Sequence, residues 1–392
     1  MSRGGAGGVR WALMTGNLVI GCGIMAAAGT LNDLARSLGI SVSVAGQLIA
    51  VGGAAVAFGA PLLAGWVAAF DRRRLLAWSL VLFGAGHALC AAMPSFAALL
   101  PVRALTVLGA AVFTPQAAAA VAVMVPPEER GRSIAFIFIG WSLASVIGLP
   151  LSALASEVLG WRTTWLAIAA ASVGTAAWVH AAMPDGVRPP AMALSSWGRV
   201  FASPLLMAIV FVTVLSAAGQ FATFSYVMPY LRDRVGASPL EASLFLAWFG
   251  VFGLLGNVMM TRIIDRLGTH LAATLMLLPI ALSFVLWPLT GDRLVWLALA
   301  VVPWAVGLFA LNSAQQARLT ATTPALAPAL LALNTSAIYL GQATGAASGG
   351  WMIGHGGYGA LWIASLAGIG VARALSAWAL RRLPAADAVA AA

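Results

Sequence analysis

The sequence has 392 residues, of which 61% are hydrophobic and only 8% are charged. Soluble domains carry roughly 25% charged residues, so this chain lacks the polar surface that a soluble fold of its length needs. The net charge is +10, and the 21 basic residues are all arginines. Because most of these arginines lie between apolar runs and do not cluster on one face, they do not indicate a nucleic-acid-binding protein. Composition therefore predicts an integral membrane protein.

Twelve apolar runs follow one another along the chain. Each is long enough to cross ~30 Å of hydrocarbon, which takes about 20 helical residues. Lipid offers no partner for backbone hydrogen bonds, and the runs are too long and too uniformly apolar for barrel strands, so we expect helices. The predicted spans are residues 11–31, 43–67, 75–94, 97–123, 133–156, 163–183, 203–230, 240–263, 270–289, 294–317, 327–353 and 357–378. The predicted fold class is an all-α membrane protein with twelve transmembrane helices.

The first run has a second interpretation. Arg3 and Arg10 precede it, and Val19-Ile20-Gly21-Cys22 is similar to a lipoprotein cleavage box. Eleven further runs would hold the chain in the membrane without a lipid anchor, so we expect no cleavage. Cys22 and Cys90 both lie in apolar runs and predict no disulfide framework. No Cys/His cluster has metal-ligand spacing, and we expect neither a metal nor a cofactor.

The arginines predict the topology. With both termini in the cytoplasm, fifteen arginines fall in cytoplasmic segments and five in outer segments, while Arg103 lies inside a span. This asymmetry favours cytoplasmic termini. The longest break, residues 184–202, is polar and proline-rich and predicts a cytoplasmic linker between a first bundle, 1–183, and a second bundle, 203–392.

The two halves also resemble each other at a shift of about 195 residues. Gly65 to Arg74 follows the second run, and Gly256 to Gly268 ends the eighth run and follows it. Gly160-Trp161-Arg162 closes the fifth run as Gly356-Gly357-Tyr358 closes the eleventh. Two related six-helix halves are the construction of carriers that rock about a central site.

These features carry a resemblance to a known family over roughly residues 10–382. The chain resembles the Major Facilitator Superfamily, and within it the drug:H+ antiporter-1 group of AraJ-like sugar or drug efflux permeases. The matching pieces are Leu34-Ala35 to Ala45-Gly46-Gln47, Gly59 to Leu62, Arg72–Arg74, Arg103, Arg130 to Arg132, Gly148 to Leu151, Gly160 to Arg162, Phe224 to Tyr226 with Pro229-Tyr230, Gly307 to Leu311, and Gly341-Gln342 to Gly349-Gly350.

The resemblance implies a fold of two pseudo-symmetric six-helix bundles and a cavity lined by the first, fourth, seventh and tenth helices. Neutral polar side chains in the spans, with aromatic neighbours, would suit an uncharged or amphipathic ligand. The candidate substrate-binding residues are Asn17, Gln47, Arg103, Thr114, Gln116, Gln220, Tyr226, Asn312, Gln315 and Tyr339. Each of them could instead bridge two helices by hydrogen bonds.

Three further groups of residues have expected roles. The cytoplasmic gate would comprise Gly65, Asp71, Arg72, Arg73, Arg74, Asp265 and Arg266. Close helix packing would use Gly148, Pro150 and the four-residue repeat Gly341, Gly345 and Gly349, which places a smooth stripe on one helix face. Trp161, Trp197 and Trp351 lie near span ends and favour anchors at the membrane interface.

Proton coupling is where the chain departs from its relatives. Many of them carry a carboxylate midway along the first helix, where this chain has Cys22 to Ala26 and no acid. Ala69 also replaces an aspartate of the motif after the second span. Either Asp71 would substitute for it, or the cytoplasmic latch would rest on the second copy of the motif, Asp265-Arg266. Arg103 should have a reason to lie in the membrane, because a charge at mid-bilayer costs ~2.5–3.5 kcal/mol on insertion scales.

The coupling candidates are Arg103, Asp33 and His87. Arg103 would pair with Asp33 or with an anionic substrate, or else would brace helix packing as a snorkelling side chain. His87 would carry a proton or be a neutral, packed imidazole.

We therefore expect a secondary transporter that exports small organic molecules by alternating access. Proton antiport is the expected coupling, and uptake by symport, facilitated diffusion or a transport-dead membrane sensor are the alternatives. The protein should not be an enzyme, because no span carries an acid pair, a Ser/His arrangement or a metal cluster. The expected partners are a small-molecule substrate, the lipid bilayer and possible coupling protons, with no nucleic acid. We expect a monomer in a bacterial inner membrane.

Overall fold

A computed structural model describes residues 3–126, 129–189 and 194–382, and these ranges contain helices and no strand. The chain divides into two compact units, Met1–Ala191 and Met192–Ala392. The division falls inside the polar segment 184–202.

The described residues of the first unit form six long helical segments, α1 to α6. A short helix, Leu31–Leu38, follows α1 after a single residue, Thr30. The segments are α1 (Arg3–Gly29), α2 (Val42–Val67), α3 (Arg72–Ala92), α4 (Phe96–Met124), α5 (Arg130–Leu143, a π-helical turn at Ala144–Gly148, then Leu149–Leu159) and α6 (Trp161–Ala182).

In the second unit, residues 194–382 form six more long segments, α7 to α12, preceded by the short helix Leu194–Phe201. The segment α7 breaks at Ser225-Tyr226 and ends in a π-helical turn, Tyr230–Arg234. The segments are α7 (Pro204–Arg234), α8 (Pro239–Leu267), α9 (Thr269–Thr290), α10 (Leu294–Thr322), α11 (Ala327–Gly356) and α12 (Tyr358–Arg381).

Eleven of the twelve segments, all except α11, are long and apolar enough to cross a membrane in the part of the chain that the structure describes. The helix α11 has 30 residues and is therefore about 45 Å long. Its polar residues, such as Asn334 and Gln342, lower its hydropathy without shortening it. The prediction of an all-α membrane protein is confirmed.

Side-chain caps begin many of the helices. Ser41, Asp71, Ser95 and Ser203 each accept a hydrogen bond from a backbone N–H in the first turn of the following helix. Ser238 does the same for α8, where Glu241 closes a capping box. Such caps satisfy donors that the first helical turn leaves unpaired.

The two units share one packing pattern. In the first unit, α1 packs on α5 and α6, α4 packs on α2 and α3, and α3 packs on α6. In the second unit, α7 packs on α11 and α12, α10 packs on α8 and α9, and α9 packs on α12. Each of these helix pairs in the second unit thus corresponds to a pair in the first unit whose helix numbers are lower by six.

Glycines allow the closest of these contacts. A Cβ atom on Gly341 would collide with Ala217 and with the Val214 carbonyl of α7. Cβ atoms on Gly345 and Gly349 would collide with the carbonyls of Ala218 and Ala222 in the next turns of α7. The stripe on α11 therefore lies directly against the backbone of α7.

The helix α5 approaches α1 in the same way. A Cβ atom on Gly148 would collide with the Cys22 sulfur, and one on Gly140 with the backbone of α1 at Met14. Pro150 lies directly after the π-helical turn and has no N–H to donate. A π-helical turn shifts the hydrogen-bond pattern by one residue, which accommodates this missing bond beside α1.

Candidate functional site

Arg103 lies near the N-terminal end of α4 with only 2% of its surface exposed. Its Nη2 atom donates to the α1 carbonyls of Gly23 and Ile24, at 3.0 and 3.2 Å. A carbonyl has a second lone pair beyond its intrahelical bond, and Gly23 has no side chain to block the approach. The guanidinium also lies over the Trp165 ring, 5.1 Å from its centroid, as in a cation–π contact.

His87, on α3, is the next partner of this arginine. Its Nε2 atom lies 3.2 Å from Arg103 Nη1, and its Nδ1 atom lies 2.8 Å from the Phe83 carbonyl. Arginine can only donate, so Nε2 accepts and the ring proton lies on Nδ1. His87 is completely buried. This geometry describes a neutral, packed imidazole that links α3 to α4.

Asp33 belongs to the short helix Leu31–Leu38. Its Oδ2 atom accepts from the backbone N–H of Trp161, at 2.6 Å, and from the Ser156 hydroxyl, at 3.3 Å. Trp161 is the first residue of α6, where a carboxylate complements the positive end of the helix dipole. Asp33 and Arg103 therefore have different neighbours, and an ion pair between them remains a prediction.

Trp161 corrects an expectation. The sequence predicted an interface anchor, but the side chain is only 1% exposed, and its indole donates to the Ser37 hydroxyl at 2.6 Å. A buried indole N–H needs an acceptor, and Ser37 on the short helix supplies it. Trp351 is 65% exposed, as an anchor would be.

The second unit has a similar carboxylate contact that sequence reasoning missed. Asp233, in the π-helical turn of α7, accepts from the hydroxyl of Tyr358 at 2.8 Å. Tyr358 is the first residue of α12, as Trp161 is of α6. We call these two interactions the Asp33 contact and the Asp233 contact. Each joins the C-terminal extension of the first helix of a unit to the start of its sixth helix.

Among the predicted substrate residues of the first unit, Asn17 and Thr114 bond to each other. Thr114 Oγ1 donates to Asn17 Oδ1 at 2.9 Å, and Asn17 Nδ2 donates to the Ile137 carbonyl at 3.0 Å. The fully buried Asn17 therefore bridges α1, α4 and α5. Gln47 is exposed at the start of α2, and Gln116 is half-buried.

In the second unit, three predicted substrate residues are buried and bridge helices. Gln220 accepts from the indole of Trp304 at 2.9 Å, and Tyr226 donates to the Ala346 carbonyl at 2.7 Å. Gln315 donates to the Ile209 carbonyl, also at 2.9 Å.

The other two differ in exposure. Asn312, on α10, is exposed and accepts a hydrogen bond from Gln316, while Tyr339, on α11, is half-buried.

The predicted gate residues of the first unit bind within that unit. The Arg72 guanidinium donates to the carbonyl of Val67, the last residue of α2, and to those of Ala68 and Phe70 in the turn that follows. Arg73 pairs with Asp185 at 2.6 Å.

The remaining gate residues lie at helix ends. Asp71 caps α3 and also accepts from the N–H of Gly186 at 2.6 Å. Gly65, Arg74, Asp265 and Arg266 are exposed.

A second buried guanidinium belongs to Arg318, near the C-terminal end of α10. It is fully buried and donates to His270 Nδ1 at 3.0 Å and to the Ser376 hydroxyl at 2.8 Å. These contacts join α9, α10 and α12. Two features of the sequence point to this site, a polar run in an apolar helix and a histidine at the start of the preceding helix. Only the fold shows that the two residues pair.

The match to known proteins decides the family. Residues 13–327 match the model of the Major Facilitator Superfamily. The chain belongs to this superfamily. The superfamily and the matched relatives are membrane transporters and not enzymes. The resemblance seen in the sequence is confirmed. In the ranges that the structure describes, no cluster of His, Cys, Asp or Glu could hold a metal ion.

Several relatives are similar over most of the chain. An inner membrane transport protein, YdhP of Escherichia coli K12, is 28% identical, covering 88% of this chain and 88% of its own. A chloramphenicol resistance protein of Streptomyces lividans is 30% identical, over 86% and 88%. A chloramphenicol efflux pump, Rv0191 of Mycobacterium tuberculosis, is 32% identical over 61% and 58%.

Among solved structures, a bacterial homolog of the human lysosomal transporter Spinster, inward-facing and occupied, has a TM-score of 0.76. It is 17% identical and the match covers 97% of each chain. This likeness shows the fold, which is that of a superfamily transporter.

Proposed function

We propose that this superfamily transporter exports small, uncharged or amphipathic organic molecules across a bacterial inner membrane. The observation that carries the proposal is similarity over 86% of the chain to a chloramphenicol resistance protein. A membrane carrier confers resistance to a drug when it moves that drug out of the cell. The similarity to a chloramphenicol efflux pump supports the same direction.

The polar residues that meet substrate would be those with side chains not committed to helix contacts. Gln47 and Asn312 are exposed, and Gln116 is half-buried. Asn17 and Gln220 would act indirectly, because their amides hold helices together. Neutral amides orient a ligand by hydrogen bonds without requiring it to carry charge.

The cytoplasmic gate would use the charged ends of α2 and α8, with both termini in the cytoplasm. Arg72 would brace the α2–α3 turn, and Arg73 would tie this turn to the end of α6, by their contacts within the first unit. Asp265, exposed at the end of α8, would form the gate contact that breaks and reforms. We expect Asp265→Asn to lower the transport rate several-fold at an unchanged amount of membrane-inserted protein.

The test of the export direction uses a bacterial strain that lacks its own drug exporters. Expression of the chain should raise the concentration of chloramphenicol, or of another neutral amphipathic drug, that inhibits growth. Everted membrane vesicles should accumulate the same radiolabelled compound. The double variant Gln47→Ala/Asn312→Ala should lose accumulation, whereas Arg188→Gln, an exposed arginine outside the helices, should retain it. Accumulation only in right-side-out vesicles would mean uptake and would overturn the proposal.

A further inference from the structure

An open apolar groove lies on the surface of the second unit. Its volume is about 300 Å³, and its walls are Pro204, Met207, Ala208 and Phe211 of α7 with Leu375 of α12. The four α7 residues follow the spacing of one helix face, at i, i+3, i+4 and i+7. None of the five side chains carries a polar atom apart from the methionine sulfur, so the groove suits a hydrocarbon chain.

Basic side chains lie at one end of this groove. Leu375 and Arg382 are seven residues apart on one face of α12 and its C-terminal end, so they are separated by about 10 Å along the axis. The Arg382 guanidinium lies over the ring of Trp378, 5.3 Å from its centroid. Tryptophan and arginine side by side are typical of the headgroup level of a bilayer.

The short helix Leu194–Phe201 borders the same end, since Pro204 begins α7 directly after it. The helix is docked by Val200, which is completely buried in the core cluster with Leu206 and Val210 of α7. Arg199 and Phe201 remain exposed. The helix thus has a buried side and a side with a cation and an aromatic ring, as an interfacial helix has.

The charge at this end is of one sign. Residues 194–211 and 361–382 contain the four arginines 199, 373, 381 and 382 and no aspartate or glutamate. Guanidinium groups match phosphate by forked, charge-assisted hydrogen bonds. An anionic headgroup is therefore favoured here over a zwitterionic one, whose positive end would be repelled.

We propose that this surface binds one anionic phospholipid of the surrounding leaflet. One acyl chain lies in the groove between α7 and α12, and the phosphate is held between Arg199 and Arg382. The roughly 10 Å from Leu375 to Arg382 spans the distance between the upper acyl chain and the headgroup. Such a lipid would fix the short helix Leu194–Phe201 against α7. The inference concerns the bilayer as ligand and does not depend on the transported substrate.

The test uses the purified full-length chain in detergent. Phosphatidylglycerol and phosphatidylcholine with identical acyl chains are titrated separately, and bound lipid is counted by native mass spectrometry while the melting temperature is recorded. We expect one phosphatidylglycerol to bind preferentially and to raise the melting temperature. Arg199→Gln/Arg382→Gln should weaken its binding about fivefold for each arginine.

Two further variants separate the parts of the site. Ala208→Trp fills the groove and should abolish the preferential binding of phosphatidylglycerol. Arg188→Gln changes an exposed arginine elsewhere and should leave this binding intact. Because Ala208→Trp could disturb folding, the surface double variant carries the test alone if circular dichroism shows a lower helix content. Glycerol phosphate without acyl chains should not compete. Equal binding of both lipids, or unchanged binding by the double variant, would overturn the proposal.

Discussion

Arg103 and Arg318 place a guanidinium in the interior of each unit, with 2% and 0% exposure. Each bonds to a histidine of the preceding long helix, His87 on α3 and His270 on α9. The two pairs lie at opposite ends of their helices, because Arg103 is near the start of α4 and Arg318 near the end of α10. The buried charges are thus met by imidazoles, carbonyls and hydroxyls that also join helices.

The contribution of His87 can be measured with a matched pair of substitutions. His87→Leu removes the acceptor for Arg103 Nη1 in a buried position, and a buried donor left unsatisfied costs about 1–3 kcal/mol. His87→Gln keeps an acceptor oxygen. We expect thermal unfolding in detergent to occur at a clearly lower temperature for His87→Leu than for His87→Gln.

The same pair distinguishes packing from proton transfer. Glutamine cannot titrate, so a transporter that needs His87 as a proton carrier would lose coupled transport in His87→Gln despite normal stability. Because the ring is buried and packed, we expect His87→Gln to retain transport. Equal melting temperatures for the two variants would contradict the hydrogen-bond assignment.

The sequence predicts which residues of the first unit are functional candidates, but it does not predict which residues they contact. Arg103 stands out as a charge in an apolar run, and this charge predicts an acidic partner such as Asp33. The structure puts Asp33 against the N-terminus of α6, where it contacts Trp161 and Ser156. That pairing depends on the break at Thr30, which turns the short helix towards α6. Hydropathy ends the predicted span at residue 31, but it does not show that the polar segment after it forms a short helix that contacts α6.

At the level of elements, the first helix of each unit ends in an extension held by a carboxylate. The Asp33 contact holds Leu31–Leu38 to α6, and the Asp233 contact holds the π-helical turn of α7 to Tyr358. We expect Asp33→Ala and Asp233→Ala each to speed amide hydrogen exchange in the extension of the same unit. Hydrogen exchange followed by mass spectrometry measures this, since locally opened segments exchange faster.

Matched variants test the chemistry of these contacts. Asp33→Asn retains an oxygen that can accept from the Trp161 N–H and should exchange more slowly than Asp33→Ala. Tyr358→Phe removes the donor of the Asp233 contact and should reproduce the effect of Asp233→Ala. Unchanged exchange in all four variants would mean that the extensions are held by apolar packing alone.

The glycine stripe of α11 (Gly341, Gly345 and Gly349) packs against the backbone of α7. Gly345→Leu would drive a side chain into the backbone of α7 at Ala218 and Ala222, and overpacking typically costs about 1–3 kcal/mol. Gly370→Leu is the control, because a Cβ atom there meets nothing within 4 Å. We expect only Gly345→Leu to lower the thermal stability and the yield of folded protein. Equal losses would point to helix propensity or membrane insertion instead of packing.

For the whole molecule, the sequence predicted the number and order of the helices well. In lipid, a run of about 20 apolar residues satisfies its own backbone hydrogen bonds only as a helix. Length and composition are therefore sufficient to predict the helices. The internal repeat predicted similar halves, and the packing patterns of the two units agree with it. Composition could not predict which polar side chains face a ligand and which join helices. Asn17 and Asn312 have the same side chain, yet one is completely buried between helices and the other is exposed.

Energy coupling concerns the whole transport cycle. Carboxylates release a proton when N–H donors or cations face them and take one up when they are buried apart from such partners. Asp33 now faces the start of α6. Asp33 is the carboxylate among the three coupling candidates, and we expect transport to break its contact with α6. We expect proteoliposomes with an interior pH dye to show proton flux driven by a substrate gradient, and Asp33→Asn to abolish it. Because asparagine still accepts from Trp161, exchange of labelled substrate across the membrane should persist in that variant, whereas Asp33→Ala should impair both. Substrate exchange without any pH change in the wild type would refute antiport and leave a facilitator.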